Sequence, residues 1–436
     1  MSAVDVTIAC LGSSPTEAVG ALDGIARLVR ECEVTAEFLI ITAAKDVEIP
    51  ETAGGFPVRR ISPERDTAGD TLRAAVREAR GEWLITLENP GPYVASLVFA
   101  FCHRRGQDDL VVASRYATGG AYSMPWLRGL VSRTLNWMYR TALAVPIRDL
   151  SSGQRMYRMS MLRRVPIEGQ DYDVLMEVLL RFMSKGGSVG EMPFYYESER
   201  YRQEPGTTFR LFRSSLGTLK RMHALRNSID FPDYDYRAYD SRIWPQRYWQ
   251  RKRFEIIHRF TSGPGCILDV GCGSSRIITT RPEMFALDIN INRLRFLRGR
   301  IPRRLQATAG ALPFADEQFD TVLSSQVIEH TAELNCVQEA ARVCKTGGTL
   351  VIGTPDYATF WWPVIERLYA LARPTAYADE HIMHYTRDSL TREIERCGCE
   401  VQECSYVGGG ELIVKAVKRR HLPEGDGPTE LVLNQD

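Results

Sequence analysis

The sequence has no long apolar run, no surplus of charge of either sign and no paired cysteines. No stretch of its 436 residues approaches the ~18 consecutive apolar residues that a membrane-crossing helix requires. The opening Met1-Ser2-Ala3-Val4-Asp5 lacks the basic and then apolar pattern of a secretory leader. Lys and Arg number 55 against 54 Asp and Glu, a net charge of +1, which gives no electrostatic case for nucleic acid. The ten cysteines are scattered without the spacing of a zinc site or a disulfide framework, so a reduced, cytoplasmic setting is expected. Cys397, Cys399 and Cys404 come nearest to a ligand set, with an ordinary buried strand as the alternative. Internal repeats are also missing.

What is there reads as two α/β halves. A hydrophobic content of 44% with 25% charged residues is that of a globular chain, and the length suggests two or three domains. The first half alternates strand candidates (Val4–Leu11, Ala36–Ile41, Glu82–Leu87) with helix candidates (Glu17–Arg30, Thr71–Arg80), the pattern of a parallel sheet with helices on its faces. The second half is organised around Ile267–Ser275, an apolar run that breaks into a loop with Gly271 and Gly273. Asp288 follows about twenty residues later, at the end of a second apolar run, where an acid can accept both hydroxyls of a ribose. Arg276 stands where a dinucleotide fingerprint would carry its third glycine, which argues against a pyrophosphate site.

The motifs that follow keep one order: Ala309-Gly310-Ala311-Leu312-Pro313-Phe314, Phe319–Ser324, Val327-Ile328-Glu329-His330, Lys345–Ile352, and His381–Leu390 followed by Gly398-Cys399-Glu400-Val401. Over roughly 180 residues this resembles the class I S-adenosylmethionine-dependent methyltransferases. The resemblance implies a Rossmann-like domain that holds S-adenosylmethionine through Asp269, Gly271, Gly273, Asp288, Ala309, Leu312 and Gln326. Thr308 stands where that family usually has an aspartate beside the adenine. Gln326-Val327-Ile328-Glu329-His330 also resembles a Glu-x-x-Glu-His metal site with its first carboxylate replaced, which leaves Mg2+ or Mn2+ as an option and the metal ligands undetermined.

In the first half, Ser114-Arg115-Tyr116, Gly119-Gly120, Arg128, Ser132, Arg133, Asn136, Asp149–Arg158, Gly190–Pro193 and Arg200 resemble the family-2 glycosyltransferases of the dolichol-phosphate mannose synthase type, a GT-A fold. That resemblance implies that Arg115, Arg128 and Arg155 face a phosphate-bearing acceptor, where guanidinium forks bind bidentately. Structural salt bridges are the alternative. The donor-side motifs depart from the family: Thr42-Ala43-Ala44-Lys45 replaces its paired aspartates, Glu88-Asn89-Pro90 its Asp-x-Asp, and Gln203-Glu204-Pro205-Gly206 its late Ser-Lys. Glu88 alone could supply an oxygen to a hard cation. From Phe209 on, a basic amphipathic stretch suits either packing between elements or peripheral contact with an anionic membrane.

The expected architecture is therefore α/β with two doubly wound domains: a GT-A-like domain over 1–227, a linker over 228–243, a methyltransferase domain over 244–418 and a disordered tail over 419–436. Methyl transfer, of the O-methylation kind, to a small or lipid-linked glycosylated or phosphate-bearing acceptor is the expected activity. Glu329, His330 and His384 (with His381) are candidates for the base that an oxygen nucleophile needs. Tyr248, Trp249 and Arg253 either close over the cofactor or pack a helix on the sheet edge. A bifunctional sugar and methyl transferase and a non-catalytic binding scaffold are the alternatives, and the oligomeric state is open.

Overall fold

Val6–Leu11 (β1) is buried along its whole length, as expected of a central parallel strand covered by helices on both faces. Its residues alternate between two cores: Ile8 and Cys10 join one apolar cluster, Ala9 and Leu11 the other. The computed structural model describes residues 4–12, 15–88, 93–171, 173–197, 207–228, 231–364, 367 and 382–420, and it divides the chain into two compact units, Met1–Asn227 and Ser228–Asp436.

In the first unit β1 is followed by β2 (Ala36–Ile41), β3 (Thr52–Ala53), β4 (Phe56–Ile61), β5 (Trp83–Glu88), β6 (Leu110–Ser114), β7 (Ala121–Ser123), β8 (Arg155–Arg158), β9 (Val189–Pro193) and β10 (Tyr195–Glu197). Eight of these form a sheet in the order β3-β4-β2-β1-β5-β8-β6-β9, and β7 pairs with β10. The expected helices form as Pro15–Glu31 and Ala68–Glu78. The second starts early because Thr67 caps it, accepting from the amide of Asp70. The order reverses between β1 and β5, whose carboxyl ends, Leu11 and Glu88, lie side by side. Glu88 therefore stands at the switch point, where open α/β sheets hold ligands.

The second unit has β11 (Ile267–Val270), β12 (Phe285–Asp288), β13 (Arg304–Gln306), β14 (Phe319–Ser325), β15 (Cys344–Pro355), β16 (Cys399–Val407) and β17 (Glu411–Lys418). They form one sheet in the order β13-β12-β11-β14-β15-β17-β16, with only β17 antiparallel to its neighbours. Residues 228–243, expected as a linker, belong to this unit. They carry a short helix, Tyr234–Ala238, whose Tyr234 and Ala238 are buried. Helix Trp244–Phe260 packs on the sheet rather than over a ligand crevice: Trp249 Nε1 and a bidentate Arg253 (2.6 and 2.7 Å) all donate to the buried Glu411. Tyr248 is exposed and stacks on Trp244. Arg419 and Arg420, expected to open a tail, donate their amides to the carbonyl of Gly398. Arg200, His381, the side chains of 207–216 and the tail from 421 lie outside the described residues.

Candidate functional site

The chain leaves β11 toward β12 on one side and returns to β14 on the other, so the carboxyl ends of these strands open into a crevice. The loop after β11 forms its floor. Gly271 has φ +68°, and a Cβ there would lie 2.2 Å from Cγ2 of Val327, so only glycine lets the loop pass beneath residue 327. Asp288 is buried at the end of β12. Its Oδ2 accepts from the Gly273 amide (2.9 Å), with Arg293 Nη1 3.9 Å away, and its Oδ1 accepts from the Asn290 amide (2.7 Å), so that Oδ1 keeps a second lone pair for a ligand. Asp269 lies buried within β11, where burial first and then the charge of Asp288 raise its carboxyl well above the usual range.

Ile289, directly after Asp288, is 67% exposed. An apolar shelf beside an acidic acceptor suits a ring stacked next to its ribose, and the sequence reading missed it. Its only signal was an isoleucine immediately after the acid. Ala309 is half-buried and Leu312 buried on the facing loop. That loop is tied down by Gly310 N to Glu333 Oε2 (2.8 Å), Asn335 Nδ2 to Gly310 O (2.7 Å) and Leu312 N to Glu339 Oε2 (2.8 Å). Over the glycine loop lies the helix Tyr234–Ala238: Ser274 N points at Asp235 Oδ2 (3.5 Å), and Arg276 both pairs with Asp240 (2.6 Å) and sits 3.8 Å above the ring of Tyr236.

The end of β14 is polar and incompletely paired. Gln326 takes φ +61°, a strained conformation for a side chain of its size, held by its amide on Gly353 O (2.8 Å). Three buried atoms there have no hydrogen-bond partner: Ser325 Oγ, Gln326 Nε2 and Glu329 Oε1. Buried polar atoms are nearly always paired, so three unpaired ones within five residues point to a missing polar partner. Glu329 is fully buried, its Oε2 accepting from Thr354 Oγ1 (3.2 Å). Burial, reinforced by Glu411, pushes its carboxyl up to about 8. His330 is half-buried in the turn Ile328–His330, its amide on Val327 O. The carbonyl of Glu329 accepts from Ile382 N (2.7 Å) and Met383 N (3.1 Å), and so fixes the segment on which His384 stacks against Tyr357 at 4.1 Å.

At the switch point of the first unit, Glu88 packs its carboxyl against Gly153, where a Cβ would lie 1.9 Å from Cδ. Burial pushes Glu88 up to about 7, against the pull of Arg155 and then Arg115. Arg155, expected to face an acceptor, is fully buried. Its guanidinium donates to three carbonyls, Ser152 O, Leu175 O and Leu150 O, each at 2.7 Å. Arg115 forks onto Asp149 (2.7 and 2.8 Å) between the rings of Tyr116 and Tyr196. Both are architectural. Asn136 completes the same network by accepting from Leu150 N (2.8 Å). Arg128 is half-buried and has no ion pair among the described residues.

Residues 268–352 match the family model described as a methyltransferase domain. A probable S-adenosylmethionine-dependent methyltransferase of Mycobacterium tuberculosis is 32% identical over 173 residues, 37% of this chain and 60% of that protein, so the chain spans less than two thirds of that relative. A demethylmenaquinone methyltransferase of a Mycobacterium species is 31% identical over 181 residues, 36% of this chain and 77% of that protein. The chain belongs to the S-adenosylmethionine-dependent methyltransferases. The N-terminal part of this methyltransferase matches a polyprenol monophosphomannose synthase of Mycolicibacterium smegmatis, 34% identical over 92 residues, 20% of this chain and 35% of that protein. A solved S-adenosylmethionine-dependent methyltransferase of Thermotoga maritima aligns with 40% of this chain and 99% of its own at 20% identity, with a TM-score of 0.32.

The crevice of the methyltransferase fits its cofactor on three counts: a buried acid with a spare lone pair at Asp288, the apolar Ile289 beside it, and unpaired polar atoms at Ser325 and Gln326. It does not fit a hard divalent cation. Gln326, Glu329 and His330 offer one carboxyl that keeps its proton near neutrality, an amide and an imidazole. No group of three His, Cys, Asp or Glu side chains converges as a metal site among the described residues. Cys397 and Cys399 are buried free thiols, pushed up by burial to about 12 and about 11.

Proposed function

We propose that the chain methylates an oxygen of a glycosylated or phosphate-bearing acceptor, and that its first unit holds the acceptor without transferring sugar. The observation that carries the first part is the set of unpaired buried atoms at Ser325, Gln326 and Glu329, beside the crevice that fits the cofactor. Bound S-adenosylmethionine supplies a carbon that is already electrophilic, so positioning accounts for much of the rate. The chain's own work is then to orient the acceptor and receive its proton. His384, exposed and held against Tyr357 by a segment hung on Glu329, carries an imidazole nitrogen that can receive that proton. His330 is the second candidate. Glu329 keeps its own proton below about pH 8, so it acts there as a donor to the acceptor or to the segment bearing His384.

Glu88 supports the second part. A single carboxyl raised by burial to about 7, and so only partly charged near neutrality, wedged on Gly153 beside Arg155, is a weak ligand for the divalent cation beneath a nucleotide diphosphate. Thr42, where paired aspartates would begin, is buried and accepts from the amide of Ala44. The similarity to a polyprenol monophosphomannose synthase favours a polyprenyl phosphate group in the acceptor. It also sustains a bifunctional reading, in which sugar is transferred and then methylated. The test is S-adenosylhomocysteine release by the full chain with polyprenyl-phosphate-linked glycans and with the free glycans. Turnover on the lipid-linked acceptor alone is expected. Turnover on neither, from a chain that binds S-adenosylhomocysteine, would overturn the acceptor class while leaving the family assignment in place.

A further inference from the structure

The turn that leaves β15 carries aromatic rings into solvent. β15 ends at Pro355, and its carboxyl end lies beside that of β14: Gln326 N donates to Gly353 O (2.8 Å) and Thr354 Oγ1 donates to Glu329 Oε2 (3.2 Å). The residues that follow, Tyr357, Phe360 and Trp361, therefore stand at the crevice end of the sheet. Phe360 is 78% exposed and Trp361 57% exposed. One edge of the Trp361 ring is seated: a Cβ on Gly409, in the turn between β16 and β17, would lie 3.3 Å from its Cδ1. Phe360 meets Trp361 edge to face, with centroids 5.6 Å apart and planes at 74°, so the pair makes no parallel slot for a flat molecule. Tyr357, on the same turn, has one face covered by His384, stacked at 4.1 Å. The result is a one-sided aromatic shelf next to the candidate base. The segments that build this rim, 354–364, 382–386 and 408–410, contain no Lys or Arg, so a phosphate would find no cation on them. Large apolar rings exposed side by side at the mouth of a crevice mark a binding surface.

We propose that this shelf receives the sugar of the acceptor: a neutral pyranose lies with one C–H face on Trp361, and the hydroxyl that is methylated belongs to that ring and not to a phosphate. The inference rests on the reading of the acceptor given above and narrows it. The C–H hydrogens on one face of a pyranose are weakly positive and suit the negative face of an indole, while the hydroxyls stay at the edge of the sugar ring. Aromatic walls with a few well-placed polar groups are the usual make-up of small-ligand sites. In the transfer, the hydroxyl oxygen bonds to the methyl carbon. The electrons of the broken carbon–sulfur bond stay on sulfur, which gives S-adenosylhomocysteine, and the hydroxyl proton passes to His384.

The test supplies the full chain and S-adenosylmethionine with polyprenyl phosphate hexose, with bare polyprenyl phosphate and with a naphthol, and locates the methyl group by fragment masses. Methyl on the hexose, and none on bare polyprenyl phosphate, is expected. Trp361→Ala should raise the acceptor KM about tenfold with a smaller change in kcat, and Trp361→Phe, which keeps a ring, should restore most of the loss. Because Trp361 is exposed, both variants should melt at the wild-type midpoint. A methyl group on a phosphate oxygen would overturn the proposal, and so would an unchanged KM in Trp361→Ala; either result leaves the proposed O-methylation standing. Methylation of the naphthol in preference to the hexose would overturn it and assign the shelf to flat aromatic acceptors. Methylation of neither lipid, by a chain that binds S-adenosylhomocysteine, would overturn the acceptor reading itself and the shelf with it.

Discussion

Asp288 carries the cofactor assignment at the scale of single residues. Its oxygens are each fixed by one backbone amide, so a ribose would meet an acceptor already oriented. Removing one partner of a buried charged hydrogen bond costs on the order of 1.5–3 kcal/mol. Asp288→Ala should weaken S-adenosylhomocysteine binding roughly ten- to a hundredfold in calorimetry; unchanged affinity in a folded variant would remove it from the ribose. Glu329 makes a prediction of different form. Its carboxyl is raised from 4.5 to about 8 in the folded chain, so the folded state holds the proton more tightly than the unfolded one. The resulting stability is fully present below about pH 4.5 and is lost as pH rises through 8. Glu329→Gln should flatten that decline in denaturant midpoints measured between pH 5 and 8 (roughly the window between the two values). A slope identical to wild type would mean that Glu329 titrates normally. Asp288 and Gly271 were legible in the sequence because a strand, a glycine turn and a distant acid have a fixed spacing. Ile289 was not legible, because exposure of an apolar side chain leaves no pattern in the chain.

Elements show why a family resemblance carries residue types further than it carries roles. Arg155 was expected to face a phosphate, but the approach of β8 to β5 and to the helix Val174–Ser184 surrounds it with carbonyls. Arg155→Gln should therefore lower stability by ~3 kcal/mol or more, because three buried acceptors lose their donor. The check is urea unfolding of the full chain. A variant of wild-type stability with an altered acceptor KM would return Arg155 to the site. The stretch Phe231–Asp240 read as a connector because a five-residue helix, Tyr-Asp-Tyr-Arg-Ala, has no apolar period to reveal it. Its contact with the glycine loop comes from Arg276, whose side chain spans Asp240 and Tyr236. The exposed stripe of helix Trp126–Leu143 was not anticipated from the sequence. A stripe at helical spacing looks the same in sequence whether it faces a core or faces away from one.

For the molecule as a whole, both α/β folds were legible from alternating strands and helices, and an acid ends a strand at or beside each switch point, Glu88 on β5 in the first unit and Asp288 on β12, next to β11, in the second. The two acids differ in setting. Asp288 accepts two backbone amides, whereas Glu88 sits on Gly153 in surroundings that disfavour its charge. That contrast is the physical basis for assigning chemistry to the second unit and holding to the first. Arg128→Gln, which removes a cation that has no ion pair among the described residues, should raise the acceptor KM severalfold and leave kcat unchanged in the methylation assay. A fall in kcat at constant KM would assign it elsewhere. The most direct test supplies the full chain with S-adenosylmethionine, common nucleotide sugars, magnesium or manganese, and a polyprenyl-phosphate glycan, and reads the acceptor by mass spectrometry. The account predicts products heavier by methyl groups only. A metal-dependent gain of a hexose, abolished by Glu88→Ala, would contradict it.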